Sequence, residues 1–129
     1  MLKEFVVVFI GGGIGSVLRY GVQVAMNGIA ASAHFPWATF AANIAGSFLI
    51  GLFYALSARF HFSPEVRLLL TTGLCGGFTT FSTFSNESLS LLKQGNLAAF
   101  ALYVAASISL GIGCVFIGSW CGKHLFAQP

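Results

Sequence analysis

The residues able to do chemistry in this chain are few, and most stand in one run, Gly76-Gly77-Phe78-Thr79-Thr80-Phe81-Ser82-Thr83-Phe84-Ser85. Two glycines, each about 1 kcal/mol worse than alanine in a helix, precede two β-branched threonines, so helical backbone is weakened there. The surrounding sequence is hydrophobic enough to lie in lipid, which offers freed backbone groups no partner. Non-helical backbone at that depth is tolerated only where it is buried in protein or lines a cavity. The run therefore predicts a permeation path or a binding site. Phe78, Phe81 and Phe84 recur every three residues and share a face, with Thr79, Ser82 and Ser85 beside them and Thr80 and Thr83 on a third face. Phenyl rings have electropositive edges and can favour a small anion without a charge that would trap it, although such a stripe equally serves core packing.

Five further polar residues join this run as candidates. Asn43 lies among Ala41, Ala42, Ile44, Ala45 and Gly46, several turns from either membrane surface, so its amide needs a partner: another helix or a polar ligand. Thr39 precedes it by one turn on the same face. Arg19 follows 14 uncharged residues, Phe5 to Leu18. Facing lipid at mid-bilayer it would cost about 2.5 to 3.5 kcal/mol, so it either snorkels to the interface or sits in a water-filled vestibule. Ser107 is a small hydroxyl inside the last apolar run, able to bond back to its own helix. Glu87 is the one acidic residue near the motif.

The elements that position these residues follow from composition. The chain has 129 residues, 57% hydrophobic and 7% charged, which places it among integral membrane proteins rather than soluble domains. Strands of a membrane barrel would alternate polar and apolar residues, and none do. At about 20 apolar residues per span, the length accommodates four helices in a single domain, 1–129, with helices at about 4–26, 36–59, 64–92 and 97–123. Gly11 and Gly15 give the first helix a close-packing face; Asn27 to Pro36 reads as a loop. Ser63, Pro64 and Glu65 form a helix start, and the third helix is interrupted around Gly76 to Thr80. Lys93 to Asn96 reads as a polar turn.

The net charge of +3 suggests no nucleic-acid partner, because the six basic residues form no patch. Lys3, Arg59, Arg67 and Lys123 fall on one side of a four-span arrangement and Lys93 on the other, which predicts cytoplasmic termini. Three cysteines without paired spacing read as small buried apolar residues, and the histidines, His34, His61 and His124, as solvated loop or tail residues. Asp is absent and no nucleophile has a base beside it, so an enzyme is not expected.

Three separated motifs, Gly11-Gly12-Gly13-Ile14-Gly15-Ser16-Val17-Leu18-Arg19, Thr39-Phe40-Ala41-Ala42-Asn43 and Gly73 to Ser85, together resemble the CrcB/Fluc family of fluoride channels in order and spacing. The resemblance covers essentially the whole chain. It implies an all-α integral membrane protein of four transmembrane helices with a broken third helix, assembled as an antiparallel, dual-topology homodimer in the bacterial inner membrane. It further implies passive fluoride export through two pores lined by Asn43, Phe81, Phe84, Ser107, Thr39 and Thr83, with Arg19 in the vestibule. A structural sodium ion would sit at the dimer centre on the backbone carbonyls of Gly76 and Thr79. Phe78 departs from the leucine common in relatives, and the charge bias leaves room for a heterodimer with an oppositely inserted paralogue. A four-helix multidrug/proton antiporter is the alternative; it would need an acid deep in the first helix, where this chain has only Glu4 at the start. A packing subunit of a larger membrane complex would explain the glycines but not Asn43 or the threonine-phenylalanine run.

Overall fold

The computed structural model describes residues 1–30 and 35–126, and every regular element among them is helical. In chain order they are α1 (Leu2–Ala25), α2 (Asn27–Ala30), α3 (Trp37–Arg59), α4 (Pro64–Leu68), a π-helical stretch π1 (Leu69–Cys75), α5 (Gly76–Phe78), α6 (Phe81–Lys93) and α7 (Leu97–His124). Three of them, α1, α3 and α7, are long and apolar enough to cross a membrane. At 1.5 Å per residue their lengths are about 35 to 42 Å, against a hydrocarbon core of about 30 Å. Large apolar side chains point outward along them, Phe9 at 80% exposure and Phe116 at 72% among them, an arrangement that suits lipid and not water.

What packs inside is mostly small, Leu91 and Tyr103 being the large exceptions. In α1 the buried residues are Gly11 and Gly15, the face expected from their spacing, and it lies directly on π1 and α5. A Cβ at Gly11 would stand 2.6 Å from the Leu69 carbonyl oxygen, and one at Gly15 would stand 2.8 Å from the Phe78 nitrogen. Gly77 answers from the other side, since any side chain there would strike the Gly12 carbonyl. A second seam joins α3 to α7: Gly51 abuts the Val115 carbonyl, and Gly118 abuts the Phe48 carbonyl. Small residues let backbones approach in lipid, where contact area rather than water exclusion drives association.

Helix starts read from the sequence are realised. Ser63 accepts a hydrogen bond from the Val66 N–H at 3.2 Å and Pro64 is the first helical residue. The polar turn after α6 contains Gly95 at φ +77°, and Asn96 caps α7 by accepting from Ala99 N–H at 3.2 Å. Three details differ from expectation. Gly76 and Gly77 remain helical, so the backbone leaves the helix only at Thr79 and Thr80; the flanking glycines serve close packing instead. Asn27 to Ala30 forms a short helix where a loop is expected, while Ala31, Ser32, Ala33 and His34 lie outside the described residues. Cys75 is buried, but Cys114 and Cys121 are partly exposed.

The charged residues gather as their positions in the sequence imply. Lys3 Nζ lies 3.4 Å from Glu65, and Arg59 donates to backbone carbonyls of Gly122 and Lys123, so the start of α1, the end of α3, the start of α4 and the end of α7 share one end of the bundle.

Candidate functional site: a polar break between two cavities

Thr79 (φ −87°, ψ 160°) and Thr80 (φ −151°, ψ 121°) are extended, and α6 restarts at Phe81. The last helical bond before the break runs from Thr79 N–H to the Cys75 carbonyl at 3.0 Å. Thr80 N–H, which a continuous helix would give to Gly76, goes instead to Asn43 Oδ1 at 2.8 Å. Asn43 Nδ2 in return donates to the Thr80 carbonyl at 3.1 Å. One primary amide, carrying both donor and acceptor, thus satisfies both backbone groups of Thr80 inside an apolar setting. Gly46, next on α3, leaves room for the Thr79 methyl, which a Cβ there would displace. On the other side, Thr80 Oγ1 caps α6 by accepting from Thr83 N–H at 3.3 Å, a donor that a continuous helix would give to Thr79. The carbonyls of Gly76 and Thr79 therefore lose their helical donors to side chains. The Gly77 carbonyl accepts from Arg19 Nε at 3.1 Å, so Arg19 reaches back to the break rather than out to the interface.

Two cavities flank this break. The larger, about 310 Å³, is an open groove lined by Asn43, Thr79, Thr80, Phe81, Phe84 and Ser107 among others, and none of its lining residues is charged. Phe81 is 78% exposed; its ring centroid lies 5.8 Å from that of Phe84, with the planes tilted by 44°. Two other hydroxyls in the lining are spent on backbone: Ser47 donates to the Asn43 carbonyl at 2.8 Å, and Thr79 to the Cys75 carbonyl at 3.0 Å. Ser107 Oγ differs, being buried with no hydrogen-bond partner. A buried hydroxyl without a partner is costly unless something else supplies one. The smaller cavity, about 70 Å³, lies across the break and is lined by Arg19, Gln23, Thr39, Thr80 and Thr83. The sequence-predicted set is thus divided: Asn43, Phe81, Phe84 and Ser107 share the groove, Thr39, Thr83 and Arg19 share the small cavity, and Thr80 walls both.

Glu87 belongs to neither lining. Thr39 Oγ1 donates to its Oε2 at 3.0 Å and Tyr103 hydroxyl to its Oε1 at 2.8 Å, tying α3, α6 and α7 together. Tyr103 is fully buried, with its ring centroid 5.0 Å from that of Phe84. Sequence reasoning passed over Tyr103 and named Thr80 in the run without giving it a place in the site. The spacing of Tyr103 and Ser107, four apart on one face of α7, was the available sign for the first, and a threonine directly before a helix start was the sign for the second.

The set can hold a small solute through one amide N–H, one hydroxyl and aromatic edges, and the carbonyls of Gly76 and Thr79 are hard oxygens that suit a cation. Among the described residues no three His, Cys, Asp or Glu side chains gather for a metal ion. The sequence profile of a family described as CrcB-like protein, Camphor Resistance (CrcB), matches residues 6–119 of this chain, nearly all of the region just described. The chain belongs to the CrcB-like family. Relatives of this CrcB-like chain include a protein of Bacteroides fragilis, 55% identical over 125 residues, covering 95% of this chain and 98% of the relative. Another, of Phocaeicola vulgatus, is 52% identical over 122 residues, covering 95% and 100%. A third, of Leptospira interrogans, is 45% identical over 123 residues, covering 95% and 96%. Each of the three carries the name fluoride-specific ion channel FluC. The break, its Asn43 clamp and both cavities all lie within the CrcB-like match.

Proposed function

We propose that this protein is a passive, fluoride-selective ion channel that exports fluoride across the bacterial inner membrane and so relieves fluoride toxicity. The observation that carries the reading is the composition of the groove: a buried, unpartnered Ser107 hydroxyl and the remaining Asn43 N–H in an uncharged lining that also holds Phe81 and Phe84. A strongly hydrated anion leaves water only for donors of comparable strength, and conduction also demands that it leave again. Neutral donors and positive phenyl edges meet both requirements. The names of relatives that match over nearly the whole length support the same ion. Asn43, Phe81, Phe84 and Ser107 are assigned to the pore wall, Thr39 and Thr83 to its continuation beyond the break, and Arg19 to the vestibule. No enzymatic step is involved.

In this reading Pro64–Lys93 is a fourth span, broken at Thr79 and Thr80, and two antiparallel copies form a homodimer with two pores between them. The open side of the groove and the exposure of Phe81 support a second copy as its missing wall. The diverted donors at the break support a sodium ion on the Gly76 and Thr79 carbonyls, with symmetry doubling the oxygens to a number that one chain lacks. A paralogue heterodimer gains support only from the gathering of basic residues at one end.

Ion efflux from liposomes containing the purified protein tests the function. Rapid fluoride efflux without chloride efflux is the expected result; equal leak of both ions would overturn it. Drug-driven proton flux would point instead to the antiporter. In the antiporter reading a coupling acid should face the solute, whereas Glu87 is engaged by Thr39 and Tyr103 outside the groove.

A further inference from the structure

A third cavity lies at the end of the bundle where α3 and α7 both stop. A hollow of about 370 Å³ is lined by Ala55, Ala58, Arg59 and Lys123. Arg59 is the last residue of α3 and Lys123 the last but one of α7, so both stand where spanning helices leave hydrocarbon for the headgroup layer. Ala58 adjoins Arg59 and Ala55 lies one turn further in on α3, and the two make an apolar floor running towards the hydrocarbon. Arg59 is held across the end of α7, donating to the Gly122 carbonyl at 3.2 Å and to the Lys123 carbonyl, while its Nε is buried without a partner. Among the described residues neither cation has a carboxylate: Glu65 is paired with Lys3, and Glu4 with the amino terminus. Trp120, 48% exposed, occupies the same end of the chain, and its amphipathic ring is of the type that marks a membrane interface.

We propose that this hollow binds one anionic phospholipid, its phosphate between Arg59 and Lys123 and one acyl chain along the Ala55 and Ala58 floor. The two uncompensated cations select a lipid with net negative charge, since the cationic group of a zwitterionic lipid would be repelled. The apolar floor selects a lipid over a soluble phosphate ester, which has no chain to bury there. The site is separate from the groove and does not depend on which ion the protein conducts.

Native mass spectrometry of the full chain in detergent, with equal concentrations of phosphatidylglycerol or phosphatidylcholine added, tests this. Phosphatidylglycerol is retained in preference, and Lys123→Gln, at an exposed side chain, lowers that retention about fivefold while leaving phosphatidylcholine unchanged. Arg59→Gln acts in the same direction; because Arg59 also clasps α7, the lysine variant carries the test if the arginine variant fails to fold. Lys93→Gln, at the end of α6, leaves retention unchanged. Equal retention of the two lipids, or no effect of Lys123→Gln, overturns the proposal. Displacement of the lipid by excess glycerol phosphate also overturns it, in favour of a soluble-anion site.

Discussion

At the scale of single residues, Asn43 and Ser107 sit in one groove under opposite constraints. The Asn43 amide is bonded twice to Thr80, so Asn43→Ala strands a part-buried N–H and a part-buried carbonyl, each worth about 1 to 3 kcal/mol at most. Both the thermal midpoint in detergent and fluoride flux should fall. Ser107 has no partner to lose: Ser107→Ala should leave the midpoint unchanged or higher while cutting flux at least tenfold, about what one hydrogen bond to a charged ion is worth. A parallel loss of stability and flux in that variant would return Ser107 to a packing role. Phe81→Ile or Phe84→Ile should abolish efflux from liposomes while the protein still elutes as a dimer; normal flux in both would make the stripe ordinary packing. Asn43 was legible in the sequence because an amide in the middle of an apolar helix must find a partner nearby. Tyr103 was not, since its importance rests on Glu87, which reaches it from another helix.

At the scale of elements, the long apolar helices and their starts could be read directly, because length, hydropathy and local caps depend on neighbouring residues. π1 left no mark in the sequence. It lies where α1 presses on the chain at Gly11, so it belongs to a contact between segments 58 or more residues apart. The expected break, Gly76 to Thr80, holds the observed one at Thr79 and Thr80 but begins too early, since glycine weakens a helix and also permits the close approach that here keeps it in place. The two uses separate by substitution. Gly15→Ala drives a methyl into α5 and should cost about 1 to 3 kcal/mol, whereas Gly13→Ala meets nothing within 4 Å and should gain about 0.5 to 1 kcal/mol. Thermal unfolding of the two variants in one detergent checks both, and equal shifts would mean that α1 does not rest on this seam.

At the scale of the whole molecule, the groove is open on one side, the side that the proposed second copy would close. Antiparallel insertion predicts that a cysteine at position 95, in a background freed of Cys75, Cys114 and Cys121, is labelled from each side of the membrane in about equal parts. Labelling from one side only would require an oppositely inserted partner from another gene. The place of Thr80 has an electrical consequence. It walls both cavities, so the partition between them is one residue of extended backbone. If both chambers fill with water, the transmembrane voltage drops chiefly across this septum, so the field there is far steeper than across the bilayer as a whole. The current-voltage curve then reports on a single residue, and that residue is the one whose N–H and carbonyl are both held by Asn43.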